Sequence, residues 1–123
     1  MVNKKHVEGY YSLMKELDQL GDDQSIFILF TGSKSSDGKS WCPDCVLAEP
    51  VIEEALKFAD EEVVFIVCEV GSRAYWKNIQ NDFRMDDRLK IKCVPTLMKW
   101  RTQKRLEEAQ CQDSNMLKML LED

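Results

Sequence analysis

Two stretches of this chain are apolar without interruption, residues 26–30 and residues 63–68, inside segments 25–30 and 63–70, while elsewhere apolar residues recur every three or four positions. Short continuous runs predict strands buried on both faces. Ahead of the first run, residues 5–7 predict a short strand at a sheet edge. Gly9 then opens a helix whose inner face carries Tyr10, Leu13, Met14, Leu17 and Leu20, and Gly21, Asp22 and Asp23 end it. Between the two runs lies a loop rich in turn formers, residues 31–40. A helical pattern of Cys45, Val46, Ile52, Ala55, Leu56 and Ala59 follows. Pro50 removes one backbone donor within it, which predicts a kink and not an end. Residues 72–84 read as a mixed, partly helical stretch in which Tyr75, Trp76 and Phe83 serve packing. Residues 96–100 and 104–108 predict two strands about a turn at 101–103. Asp113 or Ser114 caps a last helix bearing Met116, Leu117, Leu120 and Leu121. The order β-α-β-α-β-α-β-β-α predicts one α/β domain over residues 1–123, a central mixed β-sheet flanked by helices on both faces.

Composition narrows the class. A chain of 123 residues with 44% hydrophobic residues buries a core of its own without disulfide staples. Its net charge of −5 is spread over many side chains, with no basic stripe for nucleic acid. No apolar run reaches membrane-spanning length, and the stretch from Met1 to His6 lacks the apolar centre of a secretory leader. A soluble, cytosolic, monomeric protein is the expectation. Five cysteines cannot all pair within one chain, and in a reducing compartment a close cysteine pair is more often catalytic or metal-binding than structural.

That pair is Cys42 and Cys45, in Trp41-Cys42-Pro43-Asp44-Cys45. A strand, a loop and then C-x-x-C at a helix start place both sulfurs on one side of the first turn, within disulfide reach. Unpaired N–H groups and the positive end of the helix dipole favour a thiolate there, and the thiolate is the attacking species. Cys42, expected to be the more exposed, is assigned as the nucleophile. Cys45, one turn deeper, would resolve the mixed disulfide. Pro43 suits the first helical position, and Trp41 would wall the sulfur. Zinc would need four ligands, but there is no second C-x-x-C and His6 is the only histidine. No bound cofactor or metal is expected. Val94-Pro95 precedes a short apolar strand. A cis bond there would offer the Val94 backbone to a substrate as an added strand.

W-C-x-x-C, Pro50 eight residues beyond Cys42, and Val94-Pro95-Thr96 together resemble thioredoxin. The stretches Phe30-Thr31-Gly32-Ser33-Lys34, Gly38-Lys39-Ser40-Trp41, Ala48-Glu49-Pro50, Tyr75-Trp76-Lys77 and Asn81-Asp82-Phe83-Arg84 resemble its thioredoxin domain-containing protein 17 branch. The resemblance implies a thioredoxin fold and a cytosolic disulfide reductase. Its Cys42–Cys45 disulfide would be reduced by thioredoxin reductase with NADPH, and its substrates would be small or selected disulfides such as cystine. It also implies peroxidase activity and a dynein light chain partner, so an adaptor and a thiol peroxidase stand as alternatives.

Three departures from ordinary thioredoxin carry physical weight. The buried Asp that takes the resolving cysteine's proton is replaced, by spacing, with Leu29. Pro43-Asp44 stands for Gly-Pro, so that Asp44 either relays the Cys45 proton or caps the helix. The loop 33–40 is longer, which predicts that it stands beside Cys42 and narrows access, and that shortening residues 35–38 widens the substrate range. Lys34 or Lys39 would offset Asp44. Of the other cysteines, Cys68 reads as core and Cys111 as unassigned. Cys93 matches a cysteine that some animal thioredoxins carry on the substrate-facing surface. Residues 60–62 and 86–88 read as solvated turns.

Overall fold

The computed structural model describes residues 2–122; Met1 and Asp123, which the readings above include, lie outside the described residues. One mixed five-stranded sheet runs in the order β1-β3-β2-β4-β5, with β1 at Asn3–Glu8, β2 at Ile26–Thr31, β3 at Val64–Glu69, β4 at Thr96–Lys99 and β5 at Arg105–Glu107. β1 and β2 run parallel to β3, and β4 runs antiparallel to β2 and β5. The continuous runs occupy the middle because both faces are covered. Ile26, Ile28 and Phe30 pack on one side with Leu13, Leu17 and Phe83, while Phe27 and Leu29 pack on the other with Ala48, Ile52 and Leu117. Burial of each such side chain contributes roughly 1.5–3 kcal/mol.

Helices α1 (Tyr10–Asp18), α3 (Arg73–Lys77) and α4 (Asp82–Met85) lie on the first face, and α2 (Pro43–Leu56) and α5 (Ser114–Glu122) on the second. α2 continues through Pro50 to Leu56, as its apolar spacing requires. Asp113 caps α5, its Oδ1 accepting from Asn115 N at 3.0 Å and Met116 N at 3.2 Å. No helix among the described residues is long and apolar enough to cross a membrane.

Three local readings change. The mixed stretch resolves into two short helices, one capped by Ser72 Oγ and one by Asn81 Oδ1. A 3-10 turn, Glu108–Gln112, precedes α5. Its signal was the Glu107/Gln110 spacing, which forms a reciprocal capping box. Asp86 is no solvated residue: its side chain is 6% exposed, accepts from the Tyr10 hydroxyl at 2.6 Å and pairs with Arg88 at 2.9 Å.

Candidate active site

β2 delivers Thr31 to the sheet's end, and Gly32 lets the chain turn beneath Trp41. A Cβ at Gly32 would meet the Trp41 ring at 2.7 Å. The Trp41 indole donates to Gly71 O at 2.9 Å, fixing the ring beside the following cysteine. The loop between them closes on itself through a Lys34–Ser40 bridge and the Ser35 N–Lys39 O bond of 2.9 Å. Ser40 Oγ then accepts from Cys42 N at 3.1 Å and sets the entry to α2.

Cys42 itself caps α2. Its sulfur accepts from Cys45 N at 3.2 Å, and Pro43 occupies the first helical position, where no donor is needed. Asp44 therefore does not cap the helix; it sits half-buried in the first turn. Contrary to the expected exposure, Cys42 is as covered as its partner, 5% against 4%. The Cys42 thiol faces the Val94 carbonyl at 3.6 Å, and the Val94–Pro95 peptide is cis.

The two sulfurs are driven apart in acidity. Cys42 is lowered to about 7, first by the hydrogen bond from the Cys45 thiol and then by the N–H groups of Cys45 and Asp44; burial and the Asp44 charge oppose this. Cys45 is raised, first by that same bond to Cys42 and then by burial, with Thr31 and Gly32 acting in the other direction. Near neutral pH one sulfur is thus poised as an anion and its neighbour holds the proton. The remaining thiols differ. Burial raises Cys68, which is fully buried. Cys111 is pushed up to about 12 by burial and donates to Leu106 O at 3.5 Å. Cys93, half-buried, is pushed up to about 11 by burial.

Two cavities flank the pair. The outer one, about 500 Å³, opens on Cys42 and is walled by Trp41, Pro43, Asp44, Arg73, Trp76, Lys92, Cys93, Val94 and Glu108. None of residues 33–40 lines it, so the long loop does not narrow access to Cys42; α3 and the 3-10 turn do. The Lys34 ammonium pairs with Glu49 at 3.3 Å on α2. The inner cavity, about 110 Å³, is lined by Cys45, Thr31, Leu29, Glu69 and Pro95 among others. Asp44 is not among them; it lines the outer cavity. Pro95, expected in the substrate groove, is buried toward this inner cavity.

The family model for the thioredoxin domain of thioredoxin domain-containing protein 17-like proteins matches residues 6–123. The chain belongs to that family. It is 46% identical over 117 residues to thioredoxin domain-containing protein 17 of Homo sapiens, covering 95% of this chain and 93% of that one. It is 50% identical over 102 residues to the Mus musculus protein of the same name, covering 83% and 81%. The thioredoxin-like protein Clot of Arabidopsis thaliana is 37% identical over 130 residues, covering 98% and 97%. Membership supports a thiol–disulfide oxidoreductase role for the dithiol.

The structure brings Trp41, Cys42, Pro43, Asp44 and Val94 together and sets Cys45 and Pro95 just behind. Sequence reasoning missed Arg73, Lys92 and Glu108, which carry no local motif. It also missed Glu69, whose signal was a charge closing an otherwise apolar strand.

Proposed function

We propose that this protein is a thioredoxin-like reductase of small or selected disulfides, with Cys42 as nucleophile and Cys45 as resolving thiol. The observation that carries the reading is the opposed acidity of two sulfurs at one helix N-terminus, the outer one lowered to about 7 and facing an open cavity. The Cys42 thiolate attacks a substrate sulfur, forms a mixed disulfide and expels the first thiolate. Cys45 then loses its proton and attacks Cys42, forming the Cys42–Cys45 disulfide and releasing the second half of the substrate.

Two electrons must then return to the protein, and thioredoxin reductase using NADPH is the proposed donor, in the cytosol, with no cofactor bound here. Trp41 and Val94 border the approach to Cys42, Pro43 organises the helix start, and Asp44 moderates the thiolate. The outer cavity suits a small disulfide bearing charges of both signs, such as cystine. Arg73 and Lys92, on its wall, would meet the carboxylates of such a substrate, and Asp44 and Glu108 its ammonium groups.

The test is NADPH consumption in the presence of thioredoxin reductase, with cystine or insulin as acceptor. Consumption with cystine well above that with insulin, lost in Cys42→Ser, is expected. Full activity in Cys42→Ser would overturn the reading, and comparable rates with both acceptors would overturn the selectivity.

A further inference from the structure

With Leu29 where a proton-accepting carboxylate is expected, Cys45 needs another route for its proton. The inner cavity contains one. Thr31 and Glu69 are register partners on β2 and β3, and in a parallel pair such residues project from the same face. That face is the one covered by α2, and Cys45, Thr31 and Glu69 line the same small cavity. The Thr31 side chain lines that cavity beside Cys45 and favours the ionised form of its sulfur. Glu69 is 7% exposed, an unusual placement for a carboxylate, and both of its oxygens are held. Oε1 accepts from Lys34 N at 2.8 Å, and Oε2 lies 2.7 Å from His6 Nε2. His6 is 58% exposed on the edge strand β1, so the far end of this chain of groups reaches solvent.

We propose that Glu69 takes up the Cys45 proton during resolution, through the Thr31 hydroxyl and water in the inner cavity, and that His6 passes it on to solvent. The inference rests on the reductase reading above. The step balances. The Cys45 S–H bond breaks, its proton passes to the Glu69 carboxylate, and the Cys45 sulfur bonds to Cys42. The Cys42–substrate bond breaks, and the substrate leaves as thiolate. The dithiol is oxidised by two electrons and the substrate disulfide is reduced by the same two. The cavity's volume of about 110 Å³ is room enough for water. Imidazole is the side chain best suited to exchanging protons with water near neutral pH.

Other charges face Glu69. From β1 come Lys4, which pairs with Glu53 of α2, and Glu8, the register partner of Glu69; from the loop comes Lys34, paired with Glu49 of α2. Cys68 on β3 adjoins it in sequence and is fully buried. These pairs leave the His6 imidazole as the basic side chain in direct contact with the Glu69 carboxylate among the described residues. Glu69 does not touch the sulfur that reacts; it is a positioning residue for the proton of one that does.

The probe is dithionitrobenzoate, an aromatic disulfide that releases a coloured thiolate twice, once when Cys42 attacks and again when Cys45 resolves. In rapid mixing, Glu69→Gln should leave the first release unchanged and slow the second at least about tenfold at neutral pH. The second release should lose its acid limb and rise steadily with hydroxide, whereas Glu69→Asp should restore much of the wild-type profile. An unchanged second release, in rate and pH profile, overturns the inference, while absence of the first release in the wild-type protein overturns the reductase reading. A second measurement needs no variant. The carbon-13 titration of the Glu69 carboxyl should differ between the dithiol and disulfide forms of the wild-type protein. Superimposable titrations would also overturn the proposal.

Discussion

Asp44 sits in the first turn of α2, and its charge opposes the thiolate it adjoins. The carboxylate raises the pKa of Cys42, while the peptide N–H of the same residue lowers it. Asp44→Asn removes the first influence and keeps the second. The Cys42 midpoint should therefore move below about 7, and alkylation at pH 6 should run about two- to threefold faster, read as iodoacetamide reactivity. A second residue-scale prediction concerns stability. Asp86 is held at about 2 against an ordinary 3.8, first by its bond to Arg88, with the Tyr10 hydroxyl assisting. A folded-state value below the unfolded one gives stability that is full above about pH 4 and is lost as pH falls toward 2. Tyr10→Phe should cost about 1–2 kcal/mol in urea unfolding at pH 7, and the gap from wild type should narrow through that acid window. Neither partnership was legible in sequence. Tyr10 and Asp86 are 76 positions apart, and a charge among charges reads locally as solvated.

Elements, in contrast, were written plainly wherever burial on two faces or one helical stripe imposed its period. β2 and β3 could be read because every position faces a helix layer, and α2 because its stripe persists across Pro50. The stretch 72–84 was blurred because its helices have 5 and 4 residues, too short for a period to repeat. Gly32 shows how an element end governs the site. Alanine there drives a methyl group into the Trp41 ring, which is tied to Gly71 by its indole. Gly32→Ala should destabilise by about 1–3 kcal/mol and displace the Trp41 indole N–H resonance, while the sheet's circular dichroism persists. Loop 33–40 was misjudged for a related reason. Length alone says nothing of direction, and its backbone is drawn to Glu69 and its lysine to α2, away from the mouth of the site.

At the scale of the molecule, the sheet separates two tasks. Its C-terminal strand ends bring Thr31 and Glu69 behind the dithiol, while α3, the 3-10 turn and the segment before β4 wall the approach in front. The cysteine pair could be read from spacing alone, but this division could not, since it joins residues from four segments of chain. The proposed reaction requires Cys42 to be an anion near neutral pH while Cys45, Cys93 and the buried thiols stay protonated. The most direct measurement is the ultraviolet absorbance of thiolate followed against pH in the reduced wild-type protein and in Cys42→Ser. A single thiolate should appear with a midpoint of about 7 in the wild-type protein and be missing from Cys42→Ser. No thiolate below the ordinary thiol value of 9.0, or the same step in both proteins, would contradict it.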